Sequence, residues 1–319
     1  MSEGIDKVKA ACRLVALCTL RATLGWMSRT IYVETDERKH GNLPNTYDKF
    51  MPYLKPDVLY YLSKLFHDST TTTDSRDVDK NSSSTSSWHY TQCVMAAQAG
   101  SILRGRTVPG GPNVLANDVA IRDTVTEHDR IVVHVSGNDM NSIFKQVLRG
   151  KGCVAIVKGI VTGSLKQETI EALRILWQEN FPRYLKFLTE NKKPREIIVL
   201  SQPITRPGYV KRLVSRKVPG GRNIPSFLLS GLFWAVNQFF SGLHLDGFPV
   251  LRDTVNEIQN GNPELQGIRI TALSTNDVLR GDQTPDLYAN DSLHPNWRGS
   301  EVLARKLYDY IATTSTPCK

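Results

Sequence analysis

Arg130-Ile-Val-Val-His-Val135, followed by Ser136-Gly-Asn-Asp139, is the stretch that decides the fold of the chain. Ile and Val are β-branched and pack well on a pleated surface, so a run of them predicts a strand. Gly, Asn and Asp readily adopt the backbone conformations that turns need. The stretch therefore predicts a strand that ends in a turn at residues 136–139.

The regions around this strand alternate between strand-like and helix-like patterns. Further strands are predicted at residues 92–97, 196–200 and 267–273, with weaker candidates at 13–18 and 153–157. Apolar residues at helical spacing predict helices at residues 56–66, 114–125, 169–188, 225–240 and 250–258, and from about Ser300 onward. Such alternation is typical of a parallel sheet with helices on both faces. We therefore predict an α/β fold, a three-layer α/β/α flavodoxin-like sandwich with a mainly parallel sheet.

The beginning of the chain lacks a pattern that places it in this fold. Residues 1–57 are predicted as an N-terminal segment of uncertain structure, and residues 58–315 as one α/β domain. Within the domain, residues 69–87 are rich in Ser, Thr and Asp, which bury little surface, so they predict a flexible loop.

Charge and cysteine content indicate which partners the protein could bind and in which cellular compartment it occurs. The net charge is +9, which raises nucleic acid or an anionic surface as a partner. The densest basic run, residues 206–222, lacks the regularly interleaved aromatics of a single-strand stacking platform, so nucleic acid is not favoured. Residues 10–27 are apolar but interrupted by Arg13 and Arg21, so neither a signal peptide nor a membrane span is predicted. Five cysteines without a Cys-x-x-Cys pair argue against a disulfide framework and favour a reducing, intracellular (cytoplasmic) compartment.

Three segments with chemically useful residues follow predicted strands. They are Gly100, the pair Gly137-Asn138 and the stretch Asp291-Ser-Leu-His294. Because ligands bind beyond the carboxyl ends of parallel strands, we expect these segments to converge on one edge of the sheet. A His can take a proton from a nucleophile while a carboxylate orients it, and Asn amides and glycine N–H groups can stabilise an oxyanion. These residue types indicate acyl-transfer chemistry, whereas each segment alone also fits a turn or a surface histidine.

In order and spacing, the three segments resemble the SGNH (GDSL-like) hydrolases. Met95-Ala-Ala-Gln-Ala-Gly100 resembles the glycine block after that family's second strand, and Val135-Ser-Gly-Asn138-Asp139 its Gly-x-Asn-Asp-like block. Asp291-Ser-Leu-His294-Pro resembles the Asp-x-x-His block before the last helix. The resemblance implies that His294 is the general base and Asp291 its orienting acid. It also implies that Asn138 and the Gly100 amide form the oxyanion hole, with no metal and no organic cofactor.

The nucleophile block of the family departs from its usual form in this chain. No Gly-Asp-Ser occurs, and the nearest match is His67-Asp68-Ser69, which makes Ser69 the predicted nucleophile. One alternative is that Ser69 is an ordinary loop serine. Another is that the first strand is residues 13–17, whose turn offers Cys18 or Thr19, so that the block is degenerate or missing.

Two functions follow from these residues. The first is a serine hydrolase that cleaves a carboxylic ester, with a small molecule, a carbohydrate ester or a lipid ester as substrate. The second is a catalytically inactive protein of the same fold that acts as a binding module for an anionic partner.

Overall fold

The computed structural model describes most of the second half of the chain and selected elements of the first. The residues described are 12–18, 58, 61–62, 64–65, 90–96, 119, 122–123, 125–127, 129–134, 137–205, 226–288 and 295–314. The predicted loop at residues 69–87 and the basic run at residues 206–222 lie outside them.

The described strands form one parallel sheet. They are β1 (Cys12–Cys18), β2 (Tyr90–Ala96), β3 (Arg130–His134), β4 (Glu196–Leu200) and β5 (Arg269–Leu273). Their order across the sheet is β2-β1-β3-β4-β5, and every neighbouring pair is parallel. The chain leaves β1 on one side for β2 and returns on the other side for β3. The strand order therefore reverses between β1 and β3, where sheets of this kind bind ligands.

Helices alternate with the later strands. They are α1 (Gly137–Leu148), α2 (Cys153–Thr162), α3 (Ser164–Leu188), α4 (Ser226–Gly261) and α5 (Trp297–Thr314). Short 3-10 helices lie at Pro263–Leu265 and Pro285–Leu287, and the described residues between 58 and 65 are also helical. No helix in this described part of the chain is long and apolar enough to cross a membrane.

Strands β3 and β4 are buried along their whole length, and their side chains belong to two hydrophobic clusters. Ile131, Val133, Ile197 and Val199 pack with residues of α1, α3 and α4. The intervening Val132, Ile198 and Leu200 pack with α5 and with the helical residues Val58 and Leu62. Successive side chains of a strand point to opposite faces, so the two clusters lie on opposite sides of these strands. The predicted α/β class is confirmed at this level.

A buried ionic network joins the amino ends of the three strands β3 to β5. Arg130 and Glu196 are both almost fully buried, and Arg130 Nε lies 2.9 Å from Glu196 Oε2. Arg269 Nη2 contacts the same carboxylate oxygen at 2.8 Å, and the Tyr310 hydroxyl donates to Oε1 at 2.8 Å. Arg130, Arg269 and Tyr310 thus satisfy the Glu196 carboxylate, which would otherwise be costly to bury.

Two predicted elements at the centre of the chain are wrong. Residues 153–157 form part of helix α2 and not a strand, because the apolar run continues to Val161 and ends at Gly163, a left-handed cap (φ 77°). Gly137, Asn138 and Asp139 form the first turn of helix α1, not a free-standing turn. A carboxylate at this position interacts favourably with the positive end of the helix dipole, which explains why the helix begins there.

Two other boundaries also change. The helices predicted at residues 225–240 and 250–258 are one helix, α4, which continues through the exposed Pro249. The strand candidate at residues 13–18 is confirmed as β1, which pairs with β2 and with β3. The sheet therefore begins inside residues 1–57, the segment whose structure was uncertain from its sequence.

Candidate functional site at the carboxyl edge of the sheet

The ends of β1 and β3 lie side by side where the strand order reverses. Cys18, the last residue of β1, is in register with His134, the last residue of β3. The backbone of Asn138 lies in the first turn of α1, just beyond β3. Asp139, the next residue, is fully buried. The first turn of α1 thus lies at the carboxyl edge of the sheet, with Asp139 inside the protein.

Buried polar contacts join the carboxyl ends of β4 and β5. Ser201 donates its backbone N–H to the Leu273 carbonyl at 3.1 Å. Its Oγ accepts the backbone N–H of Thr275 at 2.9 Å, and Asn276 Oδ1 accepts the backbone N–H of Ile204 at 3.0 Å. Each of these bonds joins residues more than seventy positions apart, and together they link the two strand ends into one unit, called the platform below.

Tyr288 and Pro295 attach the segment between them to this platform. They pair across an isolated antiparallel bridge, and Asn296 donates its backbone N–H to the Leu287 carbonyl at 2.8 Å. The Tyr288 hydroxyl donates to the Ile204 carbonyl at 2.5 Å. Burial, reinforced by the charge of Asp282, raises the pKa of Tyr288, so the phenol stays protonated and keeps donating.

The amino end of α5 packs tightly beneath this bridge. Asn296 caps the helix, since its Oδ1 accepts the Gly299 backbone N–H at 3.1 Å. A Cβ on Gly299 would lie 2.8 Å from the Pro295 Cβ and would collide with the Leu287 carbonyl. Only glycine fits this close approach, so Gly299 is a structural requirement of the bridge.

A small cavity lies beside the end of β4, on the side of the sheet that carries α1, α3 and α4. Its volume is about 20 Å³, enough for one water molecule. Its walls include Met140, Trp177, Phe181, Ser201 and His244. Met140 is two residues after Asn138 on α1, which places the cavity next to the candidate site.

His244 is the one titratable side chain among the residues lining this cavity. It is 8% exposed, and its Nδ1 has no hydrogen-bond partner in the described part of the chain. Burial lowers the pKa of His244 to about 4, and a hydrogen bond to the Gln202 backbone opposes this only in part. The ring is therefore neutral at physiological pH.

The predicted site residues are described to different extents. The backbone of Asn138 is at the expected edge of the sheet. Ser69, Gly100, Asp291 and His294 lie outside the described residues, although Pro295, the residue after His294, is described and buried. The predictions for these four residues stay predictions.

Sequence reasoning missed Tyr288, His244 and the pair Ser201 and Thr275. Ser201 and Thr275 stand directly after or just beyond an apolar strand, and this position is the signal that could have found them. Tyr288 and His244 gave no such signal, because their partners are remote in the chain.

Comparison with known proteins adds no family assignment. No family model matches the chain, and no curated protein matches its sequence. Among the described residues, no group of three or more His, Cys, Asp or Glu side chains could hold a metal ion.

Proposed function

We propose that the chain is a serine hydrolase of the SGNH type that cleaves a carboxylic ester, built as a three-layer flavodoxin-like sandwich. The strand order β2-β1-β3-β4-β5 is that of flavodoxin-like sheets. The two clusters on opposite sides of β3 and β4 are what two helical layers would produce. These two features support the fold part of the proposal.

One observation carries the functional part: the described anchors of two predicted site segments lie on the same edge of the sheet. Asn138 follows β3 in the first turn of α1. The Tyr288–Pro295 bridge is tied through Ile204 to the platform after β4. His294 is bonded to Pro295, and adjacent Cα atoms are about 3.8 Å apart across a trans peptide; Asp291 is three positions after Tyr288, a reach of at most about 11 Å. This connectivity supports Asp291 and His294 as the acid and base of the proposed site.

A second contact supports Ser69 as the nucleophile. Leu65 packs against the cluster that contains Tyr288, the residue at the base of the Asp291–His294 segment. Ser69 is four residues further along the chain, within about 15 Å of Leu65 by covalent reach. This covalent reach is compatible with the proposed role of Ser69 as the nucleophile.

In the proposed reaction Ser69 Oγ attacks the ester carbonyl while His294 takes the hydroxyl proton. Asp291 orients the imidazole and stabilises its charged form. The Asn138 amide, the Gly100 N–H and the Ser69 N–H hold the oxyanion. The tetrahedral intermediate collapses, His294 gives the proton to the leaving alcohol, and an acyl-serine ester forms. Water, deprotonated by His294, then attacks the acyl-serine and releases the carboxylic acid and free Ser69.

Hydrolysis of p-nitrophenyl acetate tests the proposal. We expect His294→Ala to lower kcat by roughly 100- to 10,000-fold, the range associated with loss of a general base. His128→Ala is the matched control, since it removes an imidazole at a sequence position outside all of the predicted site segments. Circular dichroism establishes that both variants are folded. Equal turnover in the wild type and in folded His294→Ala would refute a role for His294 in catalysis.

The position of β1 favours a second candidate function. β1 borders the point where the strand order reverses, yet the residue after it is Thr19 and not the serine of a Gly-Asp-Ser block. A chain without a nucleophile would be a binding module, for which the net charge of +9 suggests an anionic partner. This candidate predicts no labelling by a fluorophosphonate probe and binding that weakens steeply as salt rises.

A further inference from the structure

Helix α2 lies at the centre of a long segment without negative charge. Between Asp139 and Glu168 the chain contains five Lys or Arg residues and no Asp or Glu. The segment runs from the first turn of α1 through all of α2 to the beginning of α3. A segment with only positive charges produces a positive electrostatic potential at the protein surface.

Two of the five basic residues form ion pairs. Lys151 pairs with Glu168 at 2.9 Å, and Lys166 pairs with Asp246. Lys145, Arg149 and Lys158 are exposed, and none of them forms an ion pair with another residue that the structure describes. Their side chains are therefore exposed on the segment of the chain that contains α2.

The outer face of α2 is apolar where a surface helix is normally polar. Val154, Val157 and Val161 are 83%, 44% and 73% exposed. Spaced three and four residues apart, they form one stripe along the helix. The opposite face packs inward, since Ile156 and Ile160 contact the hydrophobic core. An exposed aliphatic stripe of this length is unusual on a soluble surface and marks an interaction site.

We propose that α2 docks onto the surface of an anionic lipid bilayer. The valine stripe would enter the boundary between headgroups and acyl chains, and Lys145, Arg149 and Lys158 would meet the anionic headgroups. Lys158 lies on the same side as the stripe, so its aliphatic stem can follow the valines while its ammonium stays at the headgroups. At ten residues α2 is about 15 Å long, too short to span a bilayer, so it lies in the plane of the interface.

The chemistry of the surface favours a bilayer over a nucleic acid or a second copy of the chain. A nucleic acid would satisfy the three cations but would leave the valine stripe against a charged backbone. A second copy of the chain would bring two positive segments together, which Coulomb repulsion disfavours. A bilayer with anionic lipids offers both an apolar interior and a negative surface, and it matches both properties.

Co-sedimentation with vesicles tests the proposal. We expect the full chain to bind vesicles of phosphatidylcholine with about 30% phosphatidylserine and not vesicles of phosphatidylcholine alone. Val154→Asn/Val161→Asn removes apolar surface without changing charge, and Arg149→Gln/Lys158→Gln removes charge without changing the stripe. Each double variant should weaken binding about tenfold or more, and raising NaCl from about 0.1 to about 0.5 M should weaken wild-type binding as well.

Ile175→Asn is the matched control. Ile175 is 44% exposed, like Val157, but lies on α3 one helical turn from both Glu171 and Glu179. We expect this variant to bind vesicles as the wild type does, and circular dichroism verifies that all variants are folded. Binding to neither vesicle, or equal binding by the wild type and the valine double variant, would overturn the proposal. A dimer in light scattering that the valine variant converts to monomer, without vesicle binding, would assign the stripe to self-association instead.

Discussion

Replacing His244 by Phe tests whether burial keeps the His244 imidazole neutral in the folded protein. Burial lowers the pKa of this ring from its ordinary value of 6.5 to about 4. In the unfolded chain the ring regains its ordinary pKa. At a pH between these two pKa values, the ring binds a proton in the unfolded state but not in the folded state. Stability is therefore retained above about pH 6.5 and is lost as the pH falls toward 4.

The size of the effect follows from the two pKa values. At pH 5 the unfolded ring is almost fully protonated and the folded ring almost neutral, so this group costs about 2 kcal/mol of stability relative to pH 7. At pH 4 the cost rises to about 3 kcal/mol. None of the other residues lining the cavity carries a charge that could stabilise the imidazolium in the folded protein.

Urea unfolding of the wild type and His244→Phe at pH 7, 6 and 5, followed by circular dichroism, measures the effect. The phenyl ring fills the same space but does not titrate, although it loses the hydrogen bond to the Gln202 backbone. The readout is therefore the change with pH and not the stability at pH 7. We expect the wild type to lose about 2 kcal/mol more than His244→Phe between pH 7 and pH 5. Ser201→Ala alters the same cavity without removing the imidazole, so its free energy of unfolding should change with pH as that of the wild type does. An equal change with pH in the wild type and in His244→Phe would refute the reasoning.

Further variants test the amino-edge network and the packing under the Tyr288–Pro295 bridge. Glu196→Gln leaves the buried Arg130 without its counter-ion and should cost about 3 kcal/mol or more in urea unfolding; a loss below about 1 kcal/mol would mean that the pair does not hold the strands together. Gly299→Ala should cost about 1–3 kcal/mol, because its Cβ would collide with the Leu287 carbonyl. Gly231→Ala is the matched control within a helix: nothing lies near its Cβ, so it should be neutral or stabilising by up to about 1 kcal/mol, and an equal loss in both glycine variants would contradict the packing argument.

The strands of the sheet were predictable where the signal is local. β3, β4 and β5 are runs rich in β-branched residues, and each was placed within two residues of its observed bounds. Helix α2 shows the limit of such signals. Its first five residues, Cys-Val-Ala-Ile-Val, have the composition of a strand, and only the continuation to Val161 between two glycines identifies a helix.

The carboxyl edge was predictable only in outline. Asn138 could be placed because it follows a strong strand directly. The bond from Tyr288 to Ile204 and the bond from Thr275 to Ser201 join residues 84 and 74 positions apart. Neither a propensity nor a local pattern records such pairs, since they exist only after β4 and β5 have come together. The elements that hold the candidate site in place therefore emerge from tertiary structure alone.

Strand β1 sets the sharpest constraint on the choice of nucleophile. Its sequence, Cys-Arg-Leu-Val-Ala-Leu-Cys, is a weak signal by itself, and its pairing with both β2 and β3 is what identifies it as a central strand. A nucleophile delivered by β1 would follow Cys18, which is in register with His134 and close to the first turn of α1. Ser69 instead follows helical residues that share a cluster with Tyr288.

Digestion of fluorophosphonate-labelled protein distinguishes the two candidate nucleophiles. The label would lie on a peptide that contains Ser69 in one case and on a peptide that contains Thr19 in the other. A label on neither peptide would leave the fold intact and favour the binding module, since the sheet and its carboxyl platform do not depend on a nucleophile.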